Sequence, residues 1–232
     1  GDYTDRIPLS DGAGEVVAVG AEVRKWQRGD RVMATFFQSW LAGKPTAASG
    51  QSALGGEIDG MLAEHVVLNE DGLVRIPAHL SFEQAATLPC AGLTAWNGLM
   101  RTGPIGPDDT VLVLGTGGVS IFGLQIARAV GSRVAITSSS DAKLARAKEL
   151  GASILVNYRT TPEWQTAVLE QTGGRGADRV LEVGGQDTLP RSVEALAYGG
   201  NLALIGGLSG FGGEIPGVAL LGRTATASGI YV

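Results

Sequence analysis

Gly115-Thr116-Gly117-Gly118 stands between two different patterns. Before it, Val111 to Leu114 is a short unbroken apolar run, β-branched at alternate places. Such a run suits a strand buried on both faces of a parallel sheet. After it, Ile121, Leu124, Gln125 and Arg128 recur at helical spacing. Strand, glycine turn and helix is the context in which a glycine fingerprint has chemical meaning. Gly115 permits the tight turn. Gly117 has no Cβ, so a pyrophosphate can approach the backbone. The helix then aims free N–H groups and the positive end of its dipole at that phosphate. The match is incomplete, because strict spacing asks for glycine or alanine where Ser120 stands. An ordinary buried turn between strand and helix is the alternative.

A second chemical feature ends the next strand, Ile136-Thr137-Ser138-Ser139-Ser140. An NAD-binding turn usually carries a carboxylate about 20 residues beyond the glycines, bonded to the ribose 2′-OH. No carboxylate ends this strand, and Asp141 comes only after it. The hydroxyls of Ser138 and Ser139, with Lys143, suit a 2′-phosphate instead. Each charge-assisted hydrogen bond there is worth roughly 1.5–3 kcal/mol. NADP(H) is therefore expected over NAD(H), with Asp141 speaking against it. The plainer alternative is that Ser140 caps a helix and Lys143 is a solvated charge. His65 falls within a strand pattern and reads as packed; His79 lies in a loop beside Pro77 and reads as solvated.

These residues need a scaffold, and the chain has material for one. It has 232 residues, 44% hydrophobic and 18% charged, enough for one large or two small domains with a sizeable core. Its 36 glycines are roughly double the usual share of about 7% and cluster at turns. A net charge of −5 without a basic block gives no footprint for nucleic acid. The stretch Val111 to Val130 is long and apolar, but its glycines, Gln125 and Arg128 argue against a membrane span. A single cysteine excludes an intramolecular disulfide and any multi-cysteine metal site. With no signal-peptide pattern in the first twenty residues, a cytoplasmic location is expected.

Residues 1–80 read as short strands and turns: 14–20, 31–34, 63–68 and 73–76, with a loop over 38–56. A barrel or sandwich is expected there. Ser81 and Gln84 form a capping box opening a helix, Pro89 ends or kinks it, and 91–100 is a second helix. From Thr110 strands and helices alternate. Strands are expected at 110–115, 133–138, 154–158, 179–183, 202–206 and 224–232. Helices are expected at 119–129, 141–150, after Thr161 as N-cap with Pro162 first, and over Leu189, Val193 and Leu196. This is an α/β fold, a doubly wound, parallel six-stranded Rossmann sheet.

Five stretches carry a family resemblance: 8–20, 29–32, 88–96, the glycine turn 115–119, and 148–152. With them the chain resembles the zinc-independent medium-chain dehydrogenases/reductases, in the quinone oxidoreductase-like and zinc-free alcohol dehydrogenase-like branch. The resemblance implies a partial GroES-like catalytic domain over 1–88 and a Rossmann NADP-binding domain over 89–232, with the active site in the cleft between. It also implies further chain before Gly1 and after Val232. Zinc-dependent relatives have Gly-His-Glu where Leu9-Ser10-Asp11 stands, and serine is a poor ligand. Catalytic zinc needs three protein ligands. Cys90 falls at a ligand position but cannot hold the metal alone, and the four cysteines of a structural zinc lobe are missing. No zinc is expected.

By resemblance, Gly117, Gly118 and Val119 offer backbone N–H groups to the pyrophosphate, and Tyr158 joins the 2′-phosphate pocket. Gly184, Ile205, Gly206 and Gly207 line the nicotinamide half, with Thr94 near it. Ile230 and Tyr231 touch the nicotinamide or extend a sheet across a homodimer through the edge strand 224–232. Thr94 and Tyr3 are the candidate catalytic proton donors. Without zinc, a simple ketone lacks a Lewis acid, whereas a conjugated enone or quinone spreads its charge to a distant oxygen. The small-molecule substrate is accordingly expected to be such an acceptor, reduced with NADPH. A metal-free alcohol or aldehyde dehydrogenase and a non-catalytic NADPH-binding structural protein are the alternatives.

Overall fold

In this computed structural model, residues 5–215 and 217–232 are described. The chain separates into two compact units. One holds the described residues up to Leu93 together with Val232, and the other runs from Thr94 to Tyr231. The break therefore follows Leu93, against Leu88 in the sequence reading.

In the first unit, β1 (Ala13–Glu15), β2 (Arg31–Ala34) and β3 (Leu73–Arg75) form an antiparallel three-stranded sheet in that order. Gly14 faces Val32, and Val32 faces Arg75. The expected strand 14–20 is cut short. Val16 still exchanges bonds with Asp30 and Gly29, but there the chain turns, leaving Val17 and Val19 exposed. The expected strand 63–68 does not form. Among the described residues no neighbouring strand offers it a ladder, and Val67 is 99% exposed. Within the expected loop 38–56, Thr46 and Ser49 build a capping box for a short helix, α1 (Ala47–Gly50).

The Ser81–Gln84 capping box is present: Gln84 N–H donates to Ser81 Oγ at 3.2 Å and Ser81 N–H to Gln84 Oε1 at 3.0 Å. It opens α2 (Phe82–Ala86). Pro89 does not stop the helical path. It sits early in a π-helical turn, Leu88–Gly92, where its missing N–H costs nothing. That turn runs into α3 (Leu93–Met100).

The second unit alternates β4 (Thr110–Val113), α4 (Gly118–Ala129), β5 (Arg133–Ser138), α5 (Asp141–Glu149), β6 (Ile154–Asn157), α6 (Trp164–Gln171), β7 (Ala177–Glu182), α7 (Leu189–Glu194), β8 (Leu196–Leu204), α8 (Gly217–Gly222) and β9 (Thr226–Gly229). All pairs are parallel, in the order β6-β5-β4-β7-β8-β9. Alternate residues of β4 enter opposite cores. Val111 and Val113 pack with Leu99, Leu124, Ile136 and Leu181, while Leu112 packs with Trp164, Val168, Val180 and Leu202. Both faces of the sheet are thus covered, which is why its strands read as continuous apolar runs.

Local departures have local causes. Thr161 does not cap α6; its N–H closes a turn on the Asn157 carbonyl at 2.8 Å. The helix starts later, with Glu163 at its cap. Leu196 belongs to β8 and not to α7, because Ala177 draws this stretch into the ladder. The last strand is shorter than 224–232, and α8, rich in apolar residues, precedes it. No helix among the described residues is long and apolar enough to cross a membrane.

Candidate functional site

β4 is the first strand of the parallel sheet. Its successors β5 and β6 lie to one side, and β7, β8 and β9 to the other. The crevice at such a reversal, outside the carboxyl ends of the strands, is where ligands bind in open α/β sheets. The strand order sets the expected site residues along that edge. Tyr158 follows β6, Ser138 and Ser139 end β5, and Gly117, Gly118 and Val119 follow β4. Gly184 follows β7, Ile205 to Gly207 follow β8, and Ile230 and Tyr231 follow β9. Thr94, 4% exposed, lies in the first turn of α3. That helix is tied to the same edge by Asn97 Nδ2, which donates to the Tyr231 carbonyl at 3.1 Å. Tyr3 lies outside the described residues.

The glycine turn leaves the start of α4 without a side-chain cap. Gly115 has φ of +73°, a conformation that side chains disfavour. Gly117 is the N-cap of α4, which has no side-chain cap and no acidic residue in its first turn. A Cβ added at Gly117 would meet no atom within 4 Å. The first turn thus has no side-chain cap, and the place of a Gly117 Cβ is open, which leaves a helix start that an anion could approach. Ser120 explains the incomplete fingerprint. It is 1% exposed, and its Oγ donates to the Leu114 carbonyl at 2.6 Å. Close approach of helix to strand is met one turn later, at Gly123. A Cβ there would lie 2.6 Å from Leu181 Cδ1 and 3.1 Å from Val113 Cγ1. The signal for Gly123 was a glycine inside a helical pattern, tolerated only for a reason.

At the end of β5, Ser138 is buried, and its Oγ accepts from Ser140 N–H at 3.3 Å. Ser140 Oγ caps α5 by accepting from Lys143 N–H at 3.4 Å. Ser139 is half-buried and the Lys143 side chain is exposed. Tyr158, 42% exposed, donates its N–H to the Ser138 carbonyl at 3.0 Å. Ser139, Lys143 and Tyr158 therefore reach the surface here, while Ser138 underlies them.

The other half of the edge turns on a residue the sequence reading missed, Glu182, a fully buried acid at the end of β7. Its Oε1 accepts from Gly184 N–H at 2.7 Å, Gly185 N–H at 3.1 Å and Thr188 Oγ1 at 2.7 Å, and its Oε2 from Ser192 Oγ. The Gly184 carbonyl accepts from Ser209 N–H at 2.7 Å and Ser209 Oγ at 2.8 Å. Gln186 N–H donates to the Gly210 carbonyl. Gly185, at φ +91°, lies so close that a Cβ would stand 2.3 Å from the Gly210 oxygen. The loops after β7 and β8 are thus locked together. Gly184 has its N–H and carbonyl committed internally, so it offers a ligand a surface and not a hydrogen bond.

In the first unit, Leu9-Ser10-Asp11 keeps an unusual backbone, with Leu9 at φ +72°. Burial pushes the Asp11 carboxyl above the ordinary 3.8, and a hydrogen bond with the Cys90 backbone partly offsets this. Among the described residues no cluster of three or more His, Cys, Asp or Glu side chains could hold a metal ion.

The alcohol dehydrogenase GroES-like domain family matches residues 2–78, and the zinc-binding dehydrogenase family matches residues 118–232. A zinc-type alcohol dehydrogenase-like protein of Schizosaccharomyces pombe is 46% identical, covering 97% of this chain and 67% of that protein. The chain belongs to the medium-chain dehydrogenase/reductase family. Its members are NAD(P)-dependent oxidoreductases, and quinone oxidoreductase-like proteins are among those matched. The crystal structure of a putative alcohol dehydrogenase from Sinorhizobium meliloti superposes with a TM-score of 0.91 at 44% identity. It is covered to 68% of its length by 99% of this chain. An NAD-dependent alcohol dehydrogenase gives 0.87 at 36% identity, covered to 68% by 98% of this chain. The chain spans 60% of the length of several other curated relatives it matches.

Proposed function

We propose that this medium-chain dehydrogenase/reductase chain takes NADPH along the carboxyl edge of its sheet and reduces a conjugated enone or quinone without zinc. The observation that carries the reading is the uncapped, sterically open N-terminus of α4 at Gly117. Reduced nicotinamide, when bound, supplies the hydride; the chain supplies binding and orientation. Gly117, Gly118 and Val119 hold the pyrophosphate through their N–H groups. Ser139, Lys143 and Tyr158 hold the 2′-phosphate. The locked loops 183–188 and 205–210 give the nicotinamide half a rigid wall, which keeps the reacting faces in register. Thr94 Oγ1 is the proton donor we assign from the described residues, beside the oxygen that gains charge. A conjugated acceptor suits a site whose donors are hydroxyls, because its negative charge is spread over several atoms.

The names of the alcohol dehydrogenases matched favour a second reading, metal-free oxidation or reduction of a simple alcohol or aldehyde. Steady-state assays of the whole protein separate the two, with enones, quinones and simple aldehydes, NADPH or NADH, and a chelator present. Turnover of enones with NADPH under chelation supports the first reading. Turnover of aldehydes alone supports the second, and tight NADPH binding with no turnover of any acceptor supports a binding protein. Loss of all activity on chelation, restored by zinc, overturns the metal-free proposal. We also propose a homodimer through β9, whose outer edge has no partner strand among the described residues. Sedimentation of the whole protein tests it.

A further inference from the structure

Asn157 ends β6 directly across the ladder from Ser138, the last residue of β5. Its amide is oriented by its own chain, because Oδ1 accepts from Arg159 N–H at 3.0 Å. The Asn157 carbonyl accepts from Thr161 N–H at 2.8 Å and Thr160 Oγ1 at 3.2 Å, which fixes the backbone beside it. Nδ2 is left pointing at α5, and it donates to Asp141 Oδ1 at 2.7 Å. Asp141 lines a pocket of about 490 Å³ with Leu144, Lys148, Asn157 and Thr160, and neither Ser139, Lys143 nor Tyr158 lines it. The carboxylate nearest the end of β5 is therefore tied to Asn157 and turned toward this pocket, which the candidate phosphate ligands do not line.

We propose that Asn157 sets the nucleotide preference of this protein by holding the Asp141 carboxylate away from the 2′ position. This rests on the NADPH reading above and explains how the site accepts a 2′-phosphate despite Asp141. A carboxylate in the first turn of a helix is favoured by the helix dipole, by roughly 0.3–1 kcal/mol. Its direction is chosen by a charge-assisted bond from an amide whose other end is already anchored. Asn157 touches no nucleotide in this scheme. It is a positioning residue, acting through Asp141.

The test is nicotinamide fluorescence titration of the whole protein with NADPH and with NADH. Four proteins are compared: wild type, Asn157→Ala, Asp141→Ala and the double variant. Releasing Asp141 lets it swing toward the phosphate, so Asn157→Ala should lower the NADPH-over-NADH preference about tenfold, the scale of one screened like-charge contact. Most of the change should lie in the NADPH Kd. In the Asp141→Ala background, Asn157→Ala should change nothing, an outcome that a merely structural role for Asn157 would not give. Should Asn157→Ala melt early, Asn157→Ser replaces it, keeping an acceptor for Arg159 N–H with a shorter reach. An unchanged preference in a folded variant overturns the proposal, as does an equal loss with Asp141 absent. A wild type that prefers NADH overturns the NADPH reading alone. The proposal about Asn157 then stands if Asn157→Ala shifts the preference further toward NADH and falls if it does not.

Discussion

The two halves of the sheet's carboxyl edge solve opposite problems. At the α4 end, the backbone leaves donors without side-chain acceptors, with open space where a Cβ would sit. At the β7 and β8 end, Glu182 and Ser209 satisfy the backbone from within. In the proposed scheme an anion completes one half, whereas the other is complete without one. Glycine does different work in each. Gly117 leaves room for a ligand, whereas Gly185 leaves room for another loop. Affinity should therefore reside mainly in the first half and shape in the second.

The largest effect expected from breaking this contrast is at Glu182. Glu182→Ala strands two N–H groups and two hydroxyls in a buried place, which should cost roughly 3 kcal/mol or more in a urea unfolding curve. Glu182→Gln keeps one acceptor oxygen and should lose less. A change within experimental error for Glu182→Ala would show that the second half is not held from within. Next is Gly117→Asp, where the signs should split. The carboxylate caps α4 and should raise the melting temperature of the nucleotide-free protein, a cap being worth a few tenths of a kcal/mol or so over glycine. It should also weaken NADPH by at least about tenfold, because it takes the donors the pyrophosphate needs. If both properties fall together, the first half is not waiting for an anion. Gly123→Ala should cost about 1–3 kcal/mol by overpacking against Leu181 and Val113, read by thermal melting. Ser209→Ala should cost about 1 kcal/mol, since the Ser209 N–H still bonds the Gly184 carbonyl.

The same contrast explains what the sequence made legible. The strand, turn and helix around Gly115 were readable because apolar run, glycines and helical spacing are neighbours in the chain. So were β5 and the Ser81–Gln84 box. Glu182 was hidden because an acid inside Val-Leu-Glu-Val gives no sign of four donors closing round it. Its partners come from a turn whose shape depends on Gly185, and the loop it steadies follows a different strand. The reach of Asn157 to Asp141 depends likewise on the β5–β6 register, which periodicity does not supply. The opposite error occurred at 63–68, where the pattern of a strand was present and a neighbour to pair with was not.

A Cβ at Gly185 would stand 2.3 Å from the Gly210 oxygen and 2.7 Å from the Gly207 Cα, so the turn after β7 rests directly on the loop after β8. The turns after β7 and β8 therefore cannot loosen one at a time. Amide protons at Gly184, Gly185 and Ser209 should exchange with solvent in a single collective opening, at one shared rate. Whatever enters or leaves that end of the edge must then move past a wall that shifts as one piece.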